Sequence, residues 1–198
     1  RPKQFCNLSE VVVRADDTPE TLQKKVELAT ILGTIQSCFT DFKGLSRQWM
    51  RNTEEERLLG VSLTGILDSK MMSNVSKENI TSLLSNLRLT AVSTNRKWAK
   101  YLGIEPSAAI TCVKPSGTVS QLVDAASGIH PRHSAYYIRT VRADKKDPLT
   151  KFMTEKGFPV EDELLKPQSM SVFSFPVKAP VGALTRNSLS AIDHLKVW

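Results

Sequence analysis

Short β-branched runs alternate with stretches of helical periodicity along this sequence, and that alternation confines the chain to an α/β architecture. Cys6 to Arg14 closes on Val11, Val12 and Val13 and reads as a strand. Asp16-Asp17-Thr18-Pro19 turns the chain and opens a helix, with Thr18 as N-cap and Pro19 at the first helical position. Leu22, Val26, Ala29, Leu32, Ile35 and Phe39 then recur at helical spacing and predict one buried face on a helix from about 19 to 38. Asp41 to Arg51 is expected as a loop anchored by Trp49, and the capping-box spacing of Thr53 and Glu56 predicts a short helical turn. Gly60 to Ile66 predicts a second strand whose glycines imply close approach of a backbone or a ligand. A long helix follows, capped by Ser76, with Ile80, Leu83, Leu84, Leu87, Ala91 and Trp98 inward and Gly103 past its end. Ala109 to Val113 predicts a third, buried strand, Lys114 to Gly117 a tight loop, and about 118 to 126 a helix ending at Gly128. A strand over Tyr136–Val141, a helix over Pro148–Lys156, a strand over Met170–Phe175 and an amphipathic helix from Asn187 complete the pattern. It predicts a mostly parallel sheet or barrel.

At 198 residues, with 40% hydrophobic and 24% charged residues, the chain suits one sizeable globular domain. No run approaches the ~18 apolar residues of a membrane span and no signal peptide opens the sequence, so a cytoplasmic location is expected. The net charge of +7 invites a nucleic-acid reading. The basic residues are scattered, however, the densest group being Arg139, Arg142, Lys145 and Lys146, and no zinc-finger spacing or basic helix accompanies them. Handling of phosphorylated small molecules fits better, with no direct nucleic-acid or membrane partner. Cys6, Cys38 and Cys112 are too dispersed for a disulfide framework, and His130 and His133 have Pro131 between them and no further ligand nearby, so no metal site is expected. A strand-like start and a final helix stopping on Trp198 give the expectation of a fragment, residues 1–198 forming a partial domain truncated at both ends.

The strongest local signal is Val113-Lys114-Pro115-Ser116-Gly117-Thr118-Val119-Ser120-Gln121, in which a strand runs through a hydroxyl-rich loop into a helix. A helix start offers unpaired N–H groups to a phosphate, with Gly117 admitting close approach and Lys114 adding charge. The same residues read equally as an ordinary cap, Ser116 or Thr118 satisfying the first amides. The pattern is not the loop of P-loop enzymes, which argues against a nucleotide hydrolase. Cys6, by residue type alone, also reads as a buried strand cysteine.

Pro115-Ser116-Gly117-Thr118-Val119-Ser120-Gln121 followed by Gly128-Ile129-His130-Pro131-Arg132 resembles the substrate-phosphate segment of the ribonucleotide reductase catalytic subunit. Cys6-Asn7-Leu8-Ser9 resembles the strand bearing the second cysteine of that family's active-site dithiol; Arg57 to Gly65 and Asn95 to Ala99 resemble further segments in the same order. The wording around Cys6 and Lys114 is most similar to the monomeric adenosylcobalamin-dependent (class II) ribonucleoside-triphosphate reductases. The resemblance implies part of a ten-stranded α/β barrel, its second half. It implies an enzyme reducing ribonucleoside triphosphates by thiyl-radical chemistry, with adenosylcobalamin as cofactor and a thioredoxin-type dithiol as reductant. Cys6 would form a redox-active disulfide with an upstream cysteine outside this chain, and Ser116, Gly117, Thr118, Val119 and Ser120 would hold the substrate phosphates. Cys38 and Cys112 match no functional cysteine of the family and are assigned to packing. His130, Arg132, Tyr136 and Tyr137 either line the pocket or support the loop. The N-x-C-x-E loop that carries the family's radical cysteine is absent and is expected just before Arg1, so the chain by itself is expected to be inactive. The alternatives are the iron-dependent (class I) large subunit of the same family and a non-catalytic nucleotide-phosphate-binding domain.

Overall fold

The computed structural model describes residues 2–73 and 77–198, and at 73 and 77–79 the backbone alone; the expected Ser76 cap lies outside the described residues. The chain divides into two compact units, Arg1–Arg132 with Pro180–Trp198, and His133–Ala179.

In the first unit, β1 (Asn7–Val12) and β2 (Leu59–Thr64) pair in parallel, Asn7 opposite Leu59 through Val12 opposite Thr64. The third expected strand contracts to one parallel bridge, Val61 with Thr111, held by amides of Leu59, Val61 and Cys112 bonding to Ala109, Ile110 and Val61 carbonyls. β2 is therefore the middle of three parallel segments. Cys112 and Val113 are exposed, against the expectation of a buried run.

Helix α1 (Pro19–Gln36) begins where expected: the Thr18 hydroxyl accepts from the Thr21 amide at 3.3 Å and the Thr21 hydroxyl accepts from the Thr18 amide at 2.9 Å, a reciprocal capping box. Leu22 and Val26 are buried as the periodicity predicts, but Leu32, Ile35 and Phe39 face outward. Thr30, Gly33 and Thr34 are buried instead. The reason is close packing between backbones. The missing Cβ of Gly33 leaves 3.4 Å to the Leu59 side chain, and Thr30 and Thr34 bury their hydroxyls by donating to the carbonyls of Val26 and Thr30, each at 2.7 Å. Asn95, fully buried on the facing helix, donates to the Thr34 hydroxyl and to the Ser107 hydroxyl at 3.0 Å each.

Residues expected as a loop form a helix, α2 (Arg47–Glu56), with Thr53 inside it rather than capping it. Its aromatic anchor explains the difference: Trp49 lies 4.9 Å from Phe5, which lies 4.5 Å from Phe42 (ring centroids), so one turn is pinned and the rest propagates. A 3-10 turn (Ile66–Asp68), α3 (Lys70–Ser73) and α4 (Lys77–Leu102) follow β2, and Gly103 takes the positive φ of a helix terminator. Leu87 and Ala91 of α4 pack with Val11, Val13, Leu22 and Leu67 in the core.

The expected helix over 118–126 is a single turn, α5 (Val119–Leu122). Asp124 is held in the left-handed region at φ 47, which ends the helix, because Arg132 bonds both its carboxylate and its carbonyl. Arg132 is buried: Nε and Nη2 donate to the two oxygens of buried Asp68 at 2.9 and 2.8 Å, a bidentate pair, while Nη1 reaches Asp124 at 2.8 Å. The last helix, α7 (Ala191–Val197), starts four residues later than expected, capped by the Ser190 hydroxyl.

The second unit departs from the expected parallel pattern. β3 (Tyr136–Asp144), β4 (Val160–Asp162) and β5 (Met170–Lys178) form a sheet of order β3-β5-β4, antiparallel throughout, and α6 (Pro148–Glu155) lies between β3 and β4 in the chain. The β4–β5 connection is a short turn, too brief for the crossover that parallel pairing needs. The Glu163 carboxylate shapes it, accepting from the amides of Leu165 and Lys166 at 2.8 Å. β4 escaped sequence reading because three residues carry no periodicity. No described helix is long and apolar enough to cross a membrane.

Candidate functional site

Alternation along the three parallel segments of the first unit sorts their residues by face. A Cβ placed on Gly60 would run into Leu8, with the sulfurs of Cys6 and Cys112 at 3.1 and 3.2 Å. Two residues further on, Lys114 Nζ meets Glu10 Oε2 at 2.8 Å across the same face. Cys6, Leu8 and Glu10 thus share a face with Gly60, Cys112 and Lys114, while Ser9 and Leu59 turn to the opposite side, against Gly33 of α1. The first face carries two exposed thiols and an ion pair whose Glu10 is largely buried, with one carboxylate oxygen, Oε1, lacking a partner.

The loop expected to grip phosphate continues from Lys114. Thr64, at the end of β2, donates through its hydroxyl to the Ala126 carbonyl at 3.0 Å and accepts from the Gly128 amide at 2.9 Å, while Asp68 accepts from the Ala126 amide at 2.8 Å. The strap so anchored reaches the loop through Ser127, whose hydroxyl donates to the Ser116 carbonyl at 2.8 Å. Within the loop, Ser116 and Ser120 are buried and bonded to each other. The Ser120 amide donates to the Ser116 hydroxyl at 3.1 Å and the Ser120 hydroxyl donates to the Ser116 carbonyl. Their hydroxyls therefore shape the loop from inside. Gly117, Thr118 and Val119 are the exposed members, and their amides find no protein acceptor among the described bonds. Thr118 makes no side-chain cap bond, so the capping reading of Thr118 is not what the hydroxyl does here. A Cβ on Gly117 would meet nothing within 4 Å.

Arg132 supports the loop, being wholly taken up with Asp68 and Asp124. His130 bonds the Ser127 carbonyl at 3.0 Å and stands 5.0 Å from the His194 ring. Tyr136 and Tyr137 belong to the second unit. Cys38 donates weakly to the Thr34 carbonyl of α1 and stands apart from the thiol face. Among the described residues no group of three or more His, Cys, Asp or Glu could hold a metal ion. Sequence reasoning missed Glu10 and Cys112. The usable signal was parity: Cys6 and Glu10, like Cys112 and Lys114, are separated by even numbers along extended backbone, so each pair projects to one side.

The Cys6 thiol is pushed above its ordinary value by burial of the sulfur against the sheet and then by the charge of Cys112. Cys112 is raised first by burial, with Lys114 pulling down and Glu10 pushing up. Both thiols are therefore protonated at neutral pH, and neither is an activated nucleophile. Alkylation of Cys6 by iodoacetamide is accordingly expected to climb with pH beyond the ordinary thiol midpoint, and Cys112→Ser to move that midpoint down. Mass-spectrometric alkylation rates across pH 7–11 check this; a midpoint at or below the ordinary value refutes it.

No protein-family model matches the chain. The adenosylcobalamin-dependent ribonucleoside-triphosphate reductase of Lactobacillus delbrueckii subsp. bulgaricus is 36% identical over 109 residues, 55% of this chain and 14% of that protein. A probable adenosylcobalamin-dependent ribonucleoside-triphosphate reductase of Dictyostelium discoideum is 26% identical over 200 residues, 98% of this chain and 25% of that protein. The chain thus spans a quarter or less of the length of these curated relatives. Among solved structures, a B-12 dependent (class II) ribonucleotide reductase matches with a TM-score of 0.72 at 24% identity, over 91% of this chain and 28% of that one. The expected α/β fold class is met: the chain has the fold of a segment of that protein. In sequence and in fold, it is similar to part of an adenosylcobalamin-dependent ribonucleoside-triphosphate reductase.

Proposed function

We propose that this chain is part of the catalytic barrel of an adenosylcobalamin-dependent ribonucleoside-triphosphate reductase, the part that grips the substrate phosphates and supplies one thiol of the reducing pair. The carrying observation is that Cys6 and the stem of the Lys114–Ser120 loop lie on one sheet face, joined across it by the Glu10–Lys114 ion pair. In this reading the amides of Gly117, Thr118 and Val119 hold the phosphates, and Ser116 and Ser120 fix the curvature that aims those amides. Lys114, tied to Glu10, steadies the loop stem. Cys6 gives one electron and one proton to the ribose 2′ reduction as its sulfur bonds to that of an upstream cysteine, which gives the other of each, and a thioredoxin-type dithiol restores both. Positioning is the chain's main contribution: sugar against sulfur, phosphates at the loop. A cytoplasmic enzyme fits this chemistry, since thiols stay reduced there.

Adenosylcobalamin supplies the radical in such an enzyme. Among the described residues no group of three or more His, Cys, Asp or Glu could hold a metal ion, and the half-open pocket behind the sheet, lined by Val61, Leu63, Leu84 and Leu87, is about 360 Å³.

Gly117→Asp in the full-length enzyme tests the phosphate role. The new side chain meets open space, so the fold is spared, and a carboxylate at the phosphates is expected to raise the nucleoside triphosphate KM by about tenfold or more, roughly 1.4 kcal/mol of lost binding. Gly117→Asn, isosteric and neutral, serves as the control. An unchanged KM in the aspartate variant removes the loop from substrate binding. Substituting Ser116 would be a poorer test, because its buried hydroxyl holds the loop together.

A further inference from the structure

Cys112 stands across a gap from Cys6. The two sulfurs lie 3.1 and 3.2 Å from the point a Gly60 Cβ would occupy, so their separation cannot exceed the sum of those distances. Both thiols are free and exposed. They come from segments on either side of β2, Cys6 leading into β1 and Cys112 following the Val61–Thr111 bridge. Strands two apart in a sheet are separated by about 9.6 Å, whereas disulfides require Cα atoms within about 6.8 Å. A direct Cys6–Cys112 disulfide would therefore need the backbone to move. A single atom between the sulfurs asks less, because two metal–thiolate bonds of about 2.3 Å each need the sulfurs only about 4.6 Å apart, a separation that the limit above allows.

We propose that Cys6 and Cys112 form a two-coordinate site for a soft d10 cation of the Cu(I) type. Thiolate softness selects such ions, and two-fold coordination suits them. Zinc, which takes four ligands in structural sites and three in catalytic ones, is not served, because no third Cys, His, Asp or Glu completes a cluster among the described residues. On binding, each thiol releases its proton to solvent and each sulfur donates a lone pair to the ion. Two S–H bonds break, two S–Cu bonds form, and no electron is transferred. The resulting bis-thiolate carries one negative charge, offset by the ammonium of Lys114, which already acts on Cys112. Gly60 is what keeps the gap open. The consequence for turnover rests on the reading above: an ion held here occupies the sulfur that the reductase needs, making the site a point of inhibition by thiophilic metals.

The test uses this chain, anaerobically, with Cu(I) buffered by bicinchoninate, read by chelator competition and native mass spectrometry. One Cu(I) per chain is expected, displacing two protons, with Cys38→Ser indistinguishable from the parent. Cys6→Ser and Cys112→Ser are each expected to weaken binding about a hundredfold, as loss of one of two ligands leaves a single soft donor. Gly60→Ala keeps both thiols but puts a methyl between them, and is expected to weaken binding while free-thiol titration still counts all three cysteines. Circular dichroism confirms that each variant folds. Equal affinity in the parent and in Cys112→Ser, or binding that depends on Cys38, overturns the site. Because the readout involves no nucleotide, a loss of turnover in a Cys6 variant combined with unaltered Cu(I) binding in Cys112→Ser would sink this inference and leave the reductase reading intact.

Discussion

Cys6→Ser in the full-length enzyme leaves at most one deoxynucleotide per active site, however much dithiol is supplied. Serine fills nearly the same volume on the exposed thiol face, so packing and fold are little affected. What serine cannot do is surrender electrons by bonding to a second sulfur, and the reduction of the ribose 2′ carbon needs two of them. The raised thiol of Cys6 is consistent with this duty, since a protonated sulfur serves as hydrogen and electron donor without being a strong nucleophile. Rapid-quench measurement of product per enzyme, compared with the steady state, separates a first partial event from repeated turnover. Cys38→Ser, just past the end of α1 with its thiol donating to the Thr34 carbonyl, is the matched control and should cycle normally. Sustained cycling by the Cys6 variant would remove the cysteine from the chemistry.

Arg132→Ala is expected to be the most damaging single substitution for stability. It strips a bidentate partner from Asp68 in a place where both groups are almost entirely out of water, leaving a carboxylate with only the Ala126 amide. Breaking such a pair costs about 3–5 kcal/mol, and for a chain of this size each kcal/mol moves Tm by about 2–4 °C. The damage should spread to function, because Asp68 and Arg132 also fix residues 124–128, which tether the phosphate loop through Ser127. Replacing both partners together, Asp68→Leu with Arg132→Met, should recover part of the loss, since no unpaired charge then remains buried. Thermal unfolding of the three variants decides it; an Arg132→Ala protein melting within a degree or two of the parent would show that the pair carries little.

How much of this was readable beforehand varied with the kind of signal. Thr18 and Pro19 opened α1 as their chemistry requires, because a capping box is a local arrangement that needs no partner. The inward face of the same helix was misjudged past Ala29, which still packs against the core. Leu32 and Ile35 satisfy a helical repeat, but Gly33 and two threonines allow closer approach to β2 and Asn95, and closeness is invisible to a hydrophobicity pattern. The loop at 114–120 was located, yet its division of labour was not: two serines face in and bond to one another, a fact set by burial. α5 stopped early because Arg132, eight residues on and folded back against it, bonds both the carboxylate and the carbonyl of Asp124. The antiparallel character of residues 136–178 was hidden because strands interleaved with a helix look alike in either sense until the turn lengths are known.

The narrowness of the parallel sheet has a practical corollary. Among the described residues, β1 and the 109–112 segment are its two rims, flanked by exposed Leu8 and Val113. Parallel strands are ordinarily covered on both sides, and a bare rim next to apolar side chains is a template on which another strand can add. Purified alone, this polypeptide should therefore be handled dilute and with its rims in mind, because an open rim invites a neighbouring strand.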